Sequence, residues 1–141
     1  MSYELIEHTA DVGLEIRAQG LDELFEESAR ALLSVMGEVR GEPAITQRVE
    51  LDGPDAEALL VDWLSELLYL FEVRAFVPVS IRARITPAPD PDRAWRLEAD
   101  MSGCDASGFV QHGPAVKAVT YHGIQVTVSD SGASARVYLD V

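Results

Sequence analysis

Side chains able to bind a metal ion stand at both ends of this sequence. Residues 8–13 (HTADVG) form a loop entering a predicted strand and supply His8 and Asp11. At the other end, the Asp140 side chain and the Val141 α-carboxylate lie next to each other on the last predicted strand. If the fold brings Asp11 alongside, three carboxylates converge, and like charges at such range need a cation or a basic side chain to neutralise them.

Carboxylate oxygens are hard ligands that select Ca²⁺, Mg²⁺ or Mn²⁺ over zinc or copper. The pattern is therefore compatible with a divalent-metal site built from Asp11, Asp140 and Val141. The alternative is that Asp11 only organises its own turn by accepting hydrogen bonds from nearby backbone N–H groups. Spacing alone leaves both interpretations open, because the distance between the two segments depends on the fold.

Other chemistries have little support in the residues. The sequence has no Walker loop, no GxGxxG, no paired-cysteine zinc pattern and no GxSxG elbow. The single cysteine, Cys104, has no base beside it and is predicted to be an inert thiol in a loop. We therefore expect a protein that is not an enzyme, with an independent metal-dependent hydrolase as the least favoured alternative.

The charge balance restricts the choice of partners. The formal net charge is −13, from 24 acidic and 11 basic residues, and Lys117 is the only lysine. A nucleic-acid-binding protein must neutralise phosphates with Lys and Arg, so no direct nucleic-acid binding is expected. A role in RNA metabolism would then require a basic protein partner, whereas the alternative is that the acidic charge only maintains solubility.

Compartment and domain organisation follow from length and composition. The first residues lack the basic and apolar regions of a secretory signal, and the apolar stretch at 58–71 is too short and too interrupted to span a membrane. A reducing cytoplasm and no membrane association are predicted. A chain of 141 residues with 48% hydrophobic content is expected to form one domain, residues 1–141.

Hydrophobic periodicity gives the elements that must position these residues. Period-two alternation predicts strands, and helical spacing predicts two amphipathic helices, of which the second is the more apolar. A glycine-containing polar loop is expected at 103–113, and Arg82 and Arg84 are expected to face Glu98 and Asp100 across a hairpin. The strands are predicted at 12–18, 48–51, 79–86, 95–101, 115–121, 124–129 and 135–140, and the helices at 21–36 and 56–73. This order indicates an α+β fold with two helices packed on a mixed, largely antiparallel sheet.

Several segments resemble the archease family in order and spacing, from about residue 3 to residue 141. They are HTADVG at 8–13, Leu24 and Phe25 in the first helix, 64–71 in the second helix, VKAVTYH at 116–122 and the terminal 139–141. The resemblance implies an archease-like fold and the role of a cofactor for a GTP-dependent RNA ligase in tRNA splicing or RNA repair. Such proteins promote ligase guanylylation and multiple turnover. A chaperone-like partnership with an RNA-modifying methyltransferase is the alternative that the resemblance also implies.

The resemblance implies that Asp11, Asp140 and the Val141 terminus bind a divalent metal, with Ca²⁺ favoured and Mg²⁺ or Mn²⁺ as alternatives. His8, Lys117 and His122 fall in the same motifs and become candidates for contact with the ligase or the metal. The loop at 103–114 departs from the family pattern, which usually has a Gly-Glu pair, an Asp and a His there. This leaves the role of that loop open.

Overall fold

The computed structural model describes residues 11–141. These residues form eight strands and two α-helices, and five of the strands follow the second helix. In chain order these are β1 (Asp11–Ala18), α1 (Leu21–Met36), β2 (Gly37–Val39), β3 (Ile45–Gly53), α2 (Ala56–Arg74), β4 (Phe76–Thr86), β5 (Trp95–Asp105), β6 (Phe109–Gln111), β7 (Ala118–Ser129) and β8 (Gly132–Asp140). Within the described residues, no helix is both long and apolar enough to cross a membrane.

The second helix, α2, begins and ends where local chemistry favours it. In α2, the Asp55 carboxylate accepts a hydrogen bond from the Ala58 backbone N–H at 2.8 Å, which satisfies a donor that the first turn leaves unpaired. The helix ends at Arg74, and the next residue, Ala75, adopts the left-handed conformation with φ of 53°. The predicted helices at 21–36 and 56–73 are confirmed, the second with one further residue.

The core lies between the helices and the sheets, with α2 as its most buried element. The indole of Trp63 is fully buried and donates a hydrogen bond to the backbone carbonyl of Phe25 in α1 at 2.9 Å. A buried polar N–H costs stability unless it is paired, so this bond lets a large aromatic side chain join the two helices. The structure confirms the packing role that the sequence predicts for Trp63.

The described strands form three separate sheets in which every pairing is antiparallel. The strand orders are β1-β8-β7, β3-β5-β4 and the two-stranded β2-β6. The α+β prediction with two helices is thus confirmed, but the sheet structure within residues 11–141 is antiparallel rather than mixed. The strands of two pairs, β4–β5 and β7–β8, follow each other in the chain and form hairpins. The other pairs join strands that are distant in sequence but run in opposite directions.

Part of the acidic composition serves the fold itself. Asp22 and Glu26, on α1, accept hydrogen bonds from the backbone N–H groups of Ile85 and Ala83, each at 2.8 Å. These N–H groups belong to β4, which is an edge strand, so the two carboxylates satisfy donors that the sheet leaves unpaired. Not every acidic residue is therefore available for a partner.

The prediction of a polar loop at 103–113 is wrong for most of these residues. β5 continues to Asp105, and a 3-10 turn follows at 106–108. The next strand, β6, pairs with β2, the short strand that directly follows α1. The aromatic ring of Phe109 packs edge-on against Phe71 with ring centroids 5.2 Å apart, which anchors the segment to α2. Cys104 consequently lies buried in β5 rather than in a loop. Local sequence hides this pairing because β2 and β6 have only three residues each.

The two strands predicted at 115–121 and 124–129 are a single strand, β7, whose pairing with β8 is interrupted between Thr120 and Gln125. Gly123 lies in this interruption with φ of 72°, a conformation that glycine adopts without steric cost. The apparent break in the hydrophobic pattern therefore marks an irregular interruption of pairing within one strand rather than a turn between two.

Candidate functional site

Asp11 and Asp140 are direct partners across the β1–β8 ladder. Residues that face each other in an antiparallel pair project from the same side of the sheet, with β-carbons about 4.5–5.5 Å apart. Both aspartates are exposed, whereas their neighbours Val12 and Leu139 pack against the core. The alternation that the sequence predicts for β8 is confirmed, and Asp140 lies on the outer face beside Asp11.

The VKAVTYH segment reaches the same end of the sheet from the other side. Ala118 is the β7 partner of Asp140, and the backbone N–H of Lys117 donates to the Asp140 carbonyl at 2.7 Å. Asp140 is therefore held between β1 and β7, with one motif on each side. The Lys117 side chain is exposed.

One rung below, Tyr138 occupies the space left by two glycines. A β-carbon added at Gly13 would lie 3.0 Å from Tyr138 Cε1, and one added at Gly123 would lie 2.7 Å from Cε2. The glycines come from opposite flanking strands and sit at either edge of the ring. Sequence reasoning missed Tyr138, although the glycine in HTADVG and the one that follows VKAVTYH were signals of a bulky neighbour.

His122 also belongs to this face. Its ring centroid is 6.5 Å from that of Tyr138, and its backbone N–H donates to the Thr120 hydroxyl at 2.9 Å. The preceding residue, Tyr121, instead sends its hydroxyl to the Asp62 carboxylate of α2 at 3.0 Å, and this bond raises the pKa of Tyr121. The side chain of Tyr121 therefore contacts α2, whereas that of His122 lies on the outer face beside Tyr138.

The predicted site residues are thus largely brought together. Asp11, Lys117, His122 and Asp140 gather around one end of the β1-β8-β7 sheet, with Val141 directly after Asp140. His8 lies outside the described residues. Among residues 11–141, no three His, Cys, Asp or Glu side chains converge as a metal-binding cluster, so the aspartates stand as a pair.

These features define a class: a small two-helix α+β protein in which motifs from both ends of the sequence meet on the outer face of a three-stranded antiparallel sheet. The chain belongs to the archease family, whose sequence profile matches residues 3–141. This confirms the family resemblance drawn from the motifs.

Full-length relatives agree. The chain is 37% identical over 145 residues to protein archease of Methanosarcina acetivorans, covering 99% of this chain and 95% of that protein. It is 32% identical over 142 residues to protein archease of Archaeoglobus fulgidus, covering all of both chains.

Two solved structures share the fold. A protein from Methanobacterium thermoautotrophicum, solved in solution, is 30% identical and superposes with a TM-score of 0.72 over 96% of each chain. The crystal structure of an archease and possible chaperone from Thermotoga maritima is 21% identical, with a TM-score of 0.65 over 98% of this chain and 96% of that one. The second likeness supports the fold alone.

Proposed function

We propose that this protein is a metal-binding accessory factor that activates a GTP-dependent RNA ligase, promoting guanylylation of the ligase and its multiple turnover in tRNA splicing or RNA repair. The observation that supports the proposal best is the pairing of Asp11 with Asp140 in a member of the archease family. The reaction belongs to the ligase, and this protein performs no turnover of its own. The cytoplasm is the proposed compartment.

The donor set fits a hard divalent cation. Asp11 and Asp140 present carboxylates from neighbouring strands. The α-carboxylate of Val141 is the third ligand in this proposal. A bound Ca²⁺, Mg²⁺ or Mn²⁺ would neutralise the mutual repulsion of these groups and supply a positive charge for phosphate oxygens. The side chains that would hold it are exposed on the outer face, where a partner can reach them.

The docking surface in this proposal is the outer face around Tyr138, defined by Asp11, His122, Tyr138 and Asp140, with Lys117 at the end of the sheet beside Asp140. The motifs of the family meet there, while the opposite side of the same sheet is buried in the core. With a net charge of −13, the protein is attracted to a basic surface, which a ligase that binds RNA must have. Lys117 and His122 are the proposed partner contacts.

The first test is calorimetric titration of Ca²⁺ and Mn²⁺ into the native chain and into a version with one glycine added after Val141. The extension moves the α-carboxylate and leaves every described strand pairing in place. We expect the native chain to bind and the extended chain to bind at least about tenfold more weakly, since one of three charged ligands is displaced. Equal binding by both would exclude the Val141 carboxylate from the site.

The second test addresses activation itself. Purified ligase, GTP and Mn²⁺ are incubated with the native protein or with Asp11→Ala, and formation of the ligase–GMP adduct is followed in time. Guanylylation that is accelerated by the native protein but not by Asp11→Ala supports a metal-dependent activator. The matched control is Glu15→Ala, which removes an exposed acid from the same face of the same strand. Equal stimulation by Asp11→Ala would remove the metal from the proposal.

A chaperone-like role toward an RNA-modifying methyltransferase is a second candidate. It is supported by Tyr69 and Val73, two exposed apolar side chains that lie one turn apart on α2. The candidate predicts that the protein suppresses methyltransferase aggregation in chelator-treated buffer, with Val73→Ser reducing the effect. Suppression that requires added Ca²⁺ or Mn²⁺ would contradict it.

A further inference from the structure

A depression of about 470 Å³ lies on the outer face of the β3-β5-β4 sheet, away from the aspartate pair. Its residues are arranged in two adjacent cross-strand rows. One row contains three hydroxyl groups, those of Thr46, Ser102 and Ser80, and the next contains Arg48, Asp100 and Arg82. The volume falls within the range of about 300–1,000 Å³ typical of small-ligand sites.

The charges in the second row are unequally engaged. The Arg48 guanidinium donates to both Asp100 carboxylate oxygens at 2.9 Å and also reaches Glu50 at 2.8 Å and Glu98 at 3.2 Å. The Glu50 and Asp100 carboxylates raise the pKa of Arg48 further above its usual value. Arg48 is therefore shared among three carboxylates, whereas Arg82, on the other side of Asp100, belongs to none of these ion pairs.

Arg82 has no ion pair with any residue from 11 to 141, and neither its guanidinium nor the three hydroxyl groups have a hydrogen-bond partner there. The neighbouring Arg84 differs, because it lies 3.5 Å from the Glu98 carboxylate. The Arg82 guanidinium and the three hydroxyl groups thus border one depression, and none of them donates to an acceptor among residues 11–141.

The backbone beside the depression is irregular. The register of β4 against β5 shifts between Pro78 and Ser80, so Val79 is an extra residue immediately before the hydroxyl row. Such bulges bend a strand and redirect the side chains next to it, and they occur frequently beside binding sites. Here the bulge lies at the end of the depression that Ser80 borders.

We propose that this depression is an oxyanion site that binds the phosphate group of a small phosphate ester, with Arg82 as the charged contact and Thr46, Ser80 and Ser102 as hydroxyl donors. A planar guanidinium matches two phosphate oxygens, and the hydroxyl groups reach the others. A small ligand is favoured over an RNA strand because the net charge of −13 repels a polyanion. The site is separate from the proposed metal site and does not depend on it.

The test is NMR titration of the full-length native protein, labelled with ¹⁵N, with inorganic phosphate and with ribose 5-phosphate at constant ionic strength. We expect saturable shifts of the amides of Thr46, Ser80, Arg82 and Ser102. Loss of one charge-assisted contact should weaken binding by about tenfold in Arg82→Ala. The matched control is Arg84→Ala, which removes the same charge two residues away and should leave the affinity within about twofold.

Three outcomes would overturn the inference. The first is the absence of saturable shifts at these four residues in the native protein. The second is an equal loss of affinity in Arg82→Ala and Arg84→Ala, which would indicate general electrostatic attraction. The third is Arg82-dependent binding of a short single-stranded RNA more tightly than ribose 5-phosphate, which would replace the small ligand by a nucleic-acid strand. Folding of each variant is checked from its amide spectrum.

Discussion

Asp11 faces Asp140 directly across the β1–β8 ladder, and β7 holds Asp140 from the other side through the Lys117 N–H at 2.7 Å. The central position of β8 is what brings the two motifs together. A strand at the edge of the sheet would have one neighbour, whereas β8 places a residue of HTADVG on one side and a residue of VKAVTYH on the other. The proposals for metal binding and for partner contact both rest on this arrangement.

Asp11→Asn is expected to weaken Ca²⁺ or Mn²⁺ binding by at least about tenfold, because an amide oxygen carries no net charge for the cation. The free energy of unfolding without metal should stay equal or rise slightly, since one of two facing like charges is removed. Calorimetry gives the first quantity and urea unfolding with chelator the second. Glu15→Gln, on the same face of β1, should change neither the affinity nor its metal preference. Equal metal affinity in Asp11→Asn and Glu15→Gln would contradict the site.

Gly123→Ala is expected to destabilise the protein more than Gly13→Ala. An added methyl group approaches the Tyr138 ring in both cases, at 2.7 Å for Gly123 and 3.0 Å for Gly13, and only Gly123 has a positive φ. Overpacking of this kind costs about 1–3 kcal/mol, and the left-handed backbone adds strain. Urea unfolding measures both variants. If the Tyr138 ring is the cause, the loss of stability in Gly13→Ala combined with Tyr138→Leu should be smaller than the sum of the losses in the two single variants. A loss equal to that sum would show that the ring is not the cause.

Trp63→Phe is expected to lower the free energy of unfolding by about 2–3 kcal/mol, from a smaller buried ring and from the lost bond to the Phe25 carbonyl. The measurement is chemical denaturation followed by circular dichroism. Trp95→Phe is the matched control, because Trp95 is only half-buried on β5. A similar loss in both variants would mean that the indole hydrogen bond contributes little to stability.

The ion pairs on the β3-β5-β4 sheet make an acid-dependent contribution through Glu50. Arg48 and Arg96 each donate to its carboxylate at 2.8 Å and lower the pKa of Glu50 below its ordinary value of 4.5. A lowered pKa in the folded state adds stability above the unfolded-state pKa, and that stability is lost as the pH falls through the folded-state value. Glu50→Gln should therefore be less stable than the native protein near neutral pH, with the difference shrinking in acid.

Urea midpoints measured from about pH 7 down to about pH 3 would follow this difference. Glu42→Gln is the control, because Glu42 is exposed and forms no ion pair with residues 11–141. A gap between Glu50→Gln and native protein that widens in acid would have the wrong sign for this interaction. High salt should reduce the gap at neutral pH, since the pairs are exposed.

Local pattern predicted the parts of the fold that depend on neighbours in sequence. Helical spacing and first-turn acids placed α1 and α2 to within one residue, because burial of one helix face is written directly into the sequence. Alternation predicted that Arg82 and Arg84 face Glu98 and Asp100 across the β4–β5 hairpin, and the structure confirms this with Arg82 opposite Asp100 and Arg84 opposite Glu98. The ion pair of Asp100 went to Arg48 of β3, however, because a strand distant in sequence lies on its other side.

The sequence by itself determined the α+β class, both helices, the exposed position of Asp140 and, through its motifs, the archease family. Only the tertiary structure decided which strands pair, and therefore that Asp11 lies opposite Asp140 and that Tyr138 fills the space beside Gly13 and Gly123. It also joined two predicted strands into β7 and paired the three-residue β2 with β6. The physical reason is that strand pairing joins residues distant in sequence. A short or irregular strand has too few side chains in a regular pattern to predict which strand it pairs with.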